Sequence, residues 1–174
     1  GYIYFCLTID VALYSRRERD LIKRYKPSGR TRNNEGWEFQ AALNWDLVKW
    51  FKDTWDIPLI LKGIARPEDA ARAVEYGAEV VYVSNHGGRQ LDHGLGSCAV
   101  LPEIVDAINK KSLVVVDGSI CRGTDVVKAI ALGADAVGMG RMQGFGLAAA
   151  GPARDHAEQI LLHFRCLLGS LRGN

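Results

Sequence analysis

Runs of nearly uninterrupted apolar residues alternate along this chain with segments in which apolar positions return every three or four residues. The first run, Tyr2 to Asp10, closes on Thr8-Ile9-Asp10 and predicts a buried strand that delivers polar groups at its C-terminal end. Beyond a stretch without periodicity, Ala41 to Thr54 reads as helix and Pro58 to Lys62 as strand. Pro67 opens a helix with acids behind it, and Gly77 stops it after Tyr76. Glu79 to Ser84 is then a strand, Leu101 to Asn109 part of a helix, and Leu113 to Asp117 a strand. Thr124 to Leu132 is a helix ended by Gly133, Ala136 to Met139 a strand, and the chain is expected to be helical from about Leu147 to Leu168.

Strands that are apolar along their whole length, separated by helices of about 10 to 15 residues, predict parallel βαβ units with right-handed crossovers. The polar residues at the strand C-terminal ends then gather on one edge. Here those ends read Thr8 and Asp10, Lys62, Ser84 to His86, Asp117 to Ser119, and Gly140-Arg141.

Composition narrows the class without changing this picture. The 174 residues are 48% apolar and 24% charged, with 22 Lys plus Arg against 20 Asp plus Glu. One domain over residues 1–174 fits, but a complete (β/α)8 barrel typically needs about 250 residues. The net charge of +2 gives no reason to expect nucleic acid, and no apolar run approaches the ~20 residues of a membrane span, so a soluble chain is expected. Residues 12–40 hold eight basic and four acidic side chains, which reads either as a solvated, mobile loop or as a lid facing an anion. Cys6, Cys98, Cys121 and Cys166 form no C-x-x-C pair, so buried or inert thiols in a reducing, cytoplasmic setting are expected rather than zinc or redox chemistry. The first residue is not Met, which suggests a processed product or a fragment.

Chemistry concentrates in Val83-Ser84-Asn85-His86-Gly87-Gly88-Arg89-Gln90-Leu91-Asp92. A strand runs into a histidine, then into two glycines that permit unusual backbone angles, with a cation three residues after the imidazole. Farther on, Asp117-Gly118-Ser119-Ile120-Cys121-Arg122-Gly123 and Gly138-Met139-Gly140-Arg141 are two glycine-containing turns in adjacent βα units, a pattern suited to an anion such as phosphate.

These strings, in this order and spacing from about Tyr2 to Gly151, resemble the FMN-dependent 2-hydroxy-acid oxidases and dehydrogenases, the family of glycolate and lactate oxidases. The resemblance implies a (β/α)8 barrel of the TIM type, of which about the last five β/α units are in view. It implies FMN as cofactor and a small L-2-hydroxy acid as substrate, oxidised to the 2-oxo acid. His86 would be the general base and Asp10 its carboxylate partner; Arg89 would grip the substrate carboxylate, and Arg17 matches an arginine near the substrate. Lys62, in Leu59-Ile60-Leu61-Lys62-Gly63, would lie beside the flavin pyrimidine end, with Thr8 and Ser84 near the ring. Asp117, Gly118, Ser119, Arg122, Gly140 and Arg141 would face the ribityl chain and phosphate. Bland readings stand beside these: a strand-end turn for Asp10, a surface cation for Arg89, strand-end capping for Ser84. An ammonium at Lys62 on an apolar strand calls for an anionic partner.

The chain departs from the family pattern at Ser119, where a glycine is usual, and at Cys121, where an arginine is usual. Arg141-Met142-Gln143 replaces Arg-Pro, and Val11-Ala12 replaces Thr-Pro. The first three or so barrel strands have no counterpart, so the chain is expected to need a homo-oligomeric partner or a missing N-terminal half to hold FMN as a complete enzyme would. A non-redox phosphate-binding barrel enzyme and a catalytically inactive half-barrel are the alternatives.

Overall fold

The computed structural model describes residues 1–11, 22–24, 41–90 and 93–151. In chain order the elements are β1 (Phe5–Thr8), α1 (Trp45–Thr54), β2 (Leu59–Ile64), α2 (Pro67–Glu75), β3 (Val80–Val83), α3 (Ser97–Ile108), β4 (Leu113–Val116), α4 (Gly123–Ala131), β5 (Ala136–Val137) and α5 (Arg141–Ala150). The five strands form one sheet in the order β1-β2-β3-β4-β5, and every pairing is parallel. A doubly wound sheet reverses its strand order at a switch point, whereas a barrel adds strands sequentially. The sheet is therefore a run of consecutive barrel units.

Register separates the two faces. Leu7, Leu61, Val81 and Val114 align across the sheet on one face. With Leu59, Val83 and Val116 they pack beneath Val48, Ala70, Ala73, Leu101, Ile104, Ile108 and Ala129 of the helices. Thr8, Lys62, Tyr82, Val115 and Ala136 align on the other face. That face is only partly covered, and Leu113 on it is 57% exposed. Parallel sheets ordinarily bury both faces, so this one is shaped as the inside of a barrel.

Local sequence explains most element ends. The Asn44 side chain accepts the Leu47 N–H at 3.0 Å to start α1, Pro67 occupies the first turn of α2, and Asn109 ends α3 with φ 49°. α3 runs from Ser97, upstream of the Leu101–Asn109 stretch read as part of a helix, and its inclusion of Pro102 sacrifices the bond that residue's N–H would have made to Cys98. α5 starts at Arg141 rather than about Leu147, because two low-propensity glycines, Gly144 and Gly146, hide its first turns. The expected loop at 12–40 lies mostly outside the described residues, as does the expected C-terminal helix beyond 151 and Cys166. The expectation of buried thiols is not met: Cys6, Cys98 and Cys121 are free and exposed, on the less covered sheet face, in the first turn of α3, and in the turn before α4.

Two acids staple the strands where they enter the sheet. Glu79 accepts the Leu59 N–H at 2.7 Å and pairs with Lys52 at 2.5 Å, tying α1, β2 and β3. Asp135 accepts the Val114 N–H at 2.7 Å in the same manner before β5. Burial pushes the Glu79 carboxyl up, but the opposing bonds from Lys52 and Leu59 outweigh it and hold the group below its ordinary value of 4.5. A carboxyl depressed in the folded state adds stability above pH 4.5 that disappears as pH falls through its folded value. Glu79→Gln should thus cost about 1 kcal/mol at pH 7 in urea unfolding, with the difference from wild type shrinking as the pH is lowered below the ordinary carboxylate range. A pH-independent difference would refute this role.

Candidate active site

Beyond Val83 the chain leaves the sheet through the buried Ser84 and turns through three successive left-handed residues, His86 (φ 54°), Gly87 (φ 68°) and Gly88 (φ 73°). A left-handed backbone costs a non-glycine residue about 1–2 kcal/mol, so His86 must be held there. Asn85 does the holding. Its Oδ1 accepts the N–H groups of Gly87 and Gly88 at 2.9 and 3.1 Å, and its Nδ2 donates to the Leu95 carbonyl at 3.1 Å. The His86 N–H donates to Ser84 Oγ at 3.3 Å.

This turn sets His86 Nδ1 2.7 Å from Asp10 Oδ2, across 76 residues of chain. Asp10 reaches that position because β2 bulges between Lys62 and Ile64. At the bulge Gly63 has φ 106°, and a Cβ added there would stand 2.6 Å from the Asp10 Cγ. The carboxyl packs directly on the Gly63 backbone.

Lys62 finds its anionic partner just past the end of β4, a strand that β2 does not pair with. Its Nζ donates to Ser84 Oγ at 2.7 Å and pairs with Asp117 Oδ2 at 3.1 Å, passing 4.6 Å above the Tyr82 ring. Both charged side chains are mostly buried, at 18% and 19% exposure. Burial first, and then the Asp117 carboxylate, push the Tyr82 phenol well above its usual range.

A cleft of about 370 Å³ opens on this edge, within the size range of small-molecule sites. His86 and Arg89 both line it, as do Asp117, Gly118, Ser119, Gly140 and Arg141. The Arg141 guanidinium lies over Gly87, where an added Cβ would be 2.6 Å from Nη2. Thr8 sits at the end of β1, paired in register with Lys62. Arg122 does not line the cleft: it is the N-cap of α4, and its N–H and that of Cys121 are taken by Asp125 at 2.9 and 3.1 Å. Cys121 lines the cleft instead. Arg17 and Asp92 lie outside the described residues. Among the described residues no cluster of side chains is suited to a metal ion.

The model of one protein family, described as FMN-dependent dehydrogenase, matches residues 1–163. The chain belongs to the FMN-dependent dehydrogenase family. Among curated members, it is 43% identical to an L-lactate oxidase of Nostoc sp. over 175 positions, covering 88% of this chain and 48% of that protein. It is 39% identical to a peroxisomal (S)-2-hydroxyacid oxidase of Arabidopsis thaliana, covering 87% and 47%. A solved mandelate oxidase structure superposes with a TM-score of 0.86 at 39% identity, covering 97% of this chain and 51% of that one. The chain spans about half the length of the curated relatives it matches, and its sequential parallel sheet is a partial (β/α)8 barrel of the kind found in this family.

The residues present fit the family's cofactor. Ser84 and Asp117 use two of the three Lys62 N–H bonds, which leaves a cationic donor for an electron-rich ring edge. Within the cleft, the Arg141 guanidinium and the glycine-containing turns at 118 and 140 suit a phosphate. Two supporting residues escaped the sequence reading. Asn85 carried a usable signal, since Asn before Gly-Gly favours such side-chain-closed turns. Tyr82 carried none, because an aromatic in a strand reads as ordinary β-propensity.

Two backbone positions are open to test. Gly63→Ala should destabilise the protein by at least about 2 kcal/mol and separate Asp10 from His86, seen as loss of the hydrogen-bonded imidazole N–H resonance; retention of that resonance would count against the packing described. Ser119 has φ 57°, so Ser119→Gly should relieve strain and stabilise by about 0.5–1 kcal/mol in urea unfolding after the glycine's entropy is subtracted, whereas lower stability would contradict it.

Proposed function

We propose that this chain carries the catalytic edge of an FMN-dependent oxidation of an L-2-hydroxy acid to the 2-oxo acid. The observation that supports it most is the convergence of a carboxylate-paired imidazole, His86, and a guanidinium, Arg89, on a single cleft. Family membership favours this redox reading over a non-redox phosphate-binding barrel enzyme.

Arg89 offers two parallel N–H donors to the substrate carboxylate, a fork that a lysine could not supply. The Asp10 carboxylate takes the Nδ1–H of His86, which leaves Nε2 as the acceptor for a substrate proton and stabilises the imidazolium that forms. FMN, when bound, supplies the two-electron acceptor. Lys62, Thr8 and Ser84 would hold its ring end, and Asp117, Gly118, Ser119, Gly140 and Arg141 its ribityl phosphate end. Arg17 is kept as a substrate-side cation by the family resemblance, and Arg122 as a phosphate contact that would require its side chain to swing into the cleft. The partly covered sheet face favours completion of the barrel by further strands, from this protein or from a second copy. Exposed free thiols suit a reducing compartment such as the cytoplasm. Among the described residues no helix is long and apolar enough to cross a membrane.

The test is spectroscopic and then kinetic. With the barrel completed by its further strands, protein supplied with FMN should show bound-flavin absorbance bands at about 370 and 450 nm that bleach on adding a 2-hydroxy acid under anaerobic conditions. His86→Gln should keep the bands and slow bleaching by about 10²- to 10⁴-fold. Bleaching at the wild-type rate would remove His86 as the base.

A further inference from the structure

We propose that Asn85 is a positioning residue for the oxidation: its side-chain oxygen holds the His86 turn in the conformation that faces the imidazole toward Asp10. The inference rests on the reading above, in which His86 is the base.

The Gly88 N–H donates to the Asn85 carbonyl at 3.0 Å, so residues 85–88 form a β-turn. Its two central residues, His86 and Gly87, both have positive φ, 54° and 68°. Turns of that hand favour Asn, Asp or Gly at the first central position, and here a histidine occupies it. Gly87, Gly88 and Arg89 are exposed, and the two glycines adopt either sign of φ without strain. A negative φ at His86 would relieve its strain. It would also send the Cβ out of the turn in another direction and take Nδ1 off the Asp10 carboxylate, now 2.7 Å away. Backbone preference therefore works against the orientation that the reaction needs.

The conformation of His86 is the relation between the peptide planes on either side of it, and each plane has one side-chain anchor. The plane before it is held by the His86 N–H on Ser84 Oγ, at 3.3 Å. The plane after it carries the Gly87 N–H, which donates to Asn85 Oδ1 at 2.9 Å. Turning that second plane over to reach a negative φ would pull the Gly87 N–H from its acceptor. The next N–H, of Gly88, is shared between Oδ1 at 3.1 Å and the Asn85 carbonyl. Asn85 is itself fixed: Nδ2 donates to the Leu95 carbonyl at 3.1 Å, which sets the amide with its oxygen toward the turn. Leu95 leads through Gly96 into α3, whose Leu101, Ile104 and Ile108 are buried in the core. One side chain thus ties an exposed, glycine-rich turn to a packed helix.

Asn85→Ala removes the side-chain bonds and leaves the backbone turn. In the completed, FMN-loaded barrel this variant should keep the flavin bands, bleach about 10- to 100-fold more slowly at saturating hydroxy acid, and lose the hydrogen-bonded imidazole N–H resonance of His86. Asn85→Asp keeps an acceptor for both glycine N–H groups and gives up only the donation to Leu95, so it should retain the resonance and bleach within about tenfold of wild type. In the His86→Gln background, Asn85→Ala should change the rate less than about twofold, because the side chain it acts through is gone. A retained resonance in Asn85→Ala, an equal loss of rate in both backgrounds, or loss of the resonance in Asn85→Asp overturns the inference and leaves His86 as the base. If Asn85→Ala does not fold, the resonance in Asn85→Asp decides alone. Bleaching of His86→Gln at the wild-type rate overturns both readings.

Discussion

All five strands point the same way, and this constraint decides where chemistry can occur. A parallel strand ends on the same edge as its neighbours, so any polar residue just past an apolar run meets the polar residues past the others. Thr8, Asp10, Lys62, Ser84, His86, Asp117 and Arg141 are scattered over most of the chain, yet strand direction alone brings them to one edge. An antiparallel pairing would have sent alternate groups to the opposite end of the sheet.

Gathering polar groups creates a second problem, which is how to hold charges against a largely apolar sheet. The solution is mutual pairing within the edge. Lys62 answers Asp117 and Ser84, His86 answers Asp10, and Ser84 also accepts the His86 N–H. The side-chain pairs Lys62–Asp117, Lys62–Ser84 and Asp10–His86 each join two different β/α units, so the site and the strand order support one another. Slipping one strand by a residue would turn Lys62 toward the helices and leave Asp117 without its cation. Two carboxylate oxygens, one each on Asp10 and Asp117, stay buried without a hydrogen-bond partner among the described residues. Such atoms are expected where a site awaits donors from a ligand.

The backbone carries part of the same design. Three left-handed residues turn His86 back over the sheet, and Asn85 provides the bonds that keep them so. A bulge at Gly63 lets the Asp10 carboxyl settle against bare backbone. Ser119 is the local exception, a side-chain residue in a conformation that glycine adopts without strain. Cys121 and Arg122 show a comparable drift: the thiol faces the cleft, while the cation caps a helix beside it.

Element type and order were legible from the amino-acid pattern because buried parallel strands are apolar throughout and amphipathic helices are not. The His86 string and the turns at Gly118 and Gly140 were legible because their order and spacing together resemble one family's pattern, although each residue alone has ordinary turn and capping uses. What remained hidden were features settled by neighbours remote in sequence. The exposure of Cys6 depends on which sheet face the helices cover. That Lys62 pairs with Asp117, with Tyr82 between them, depends on three strands lying side by side. Residue chemistry determined which groups were available; the register of a parallel sheet decided which of them met, because contact follows distance in space and not separation along the chain.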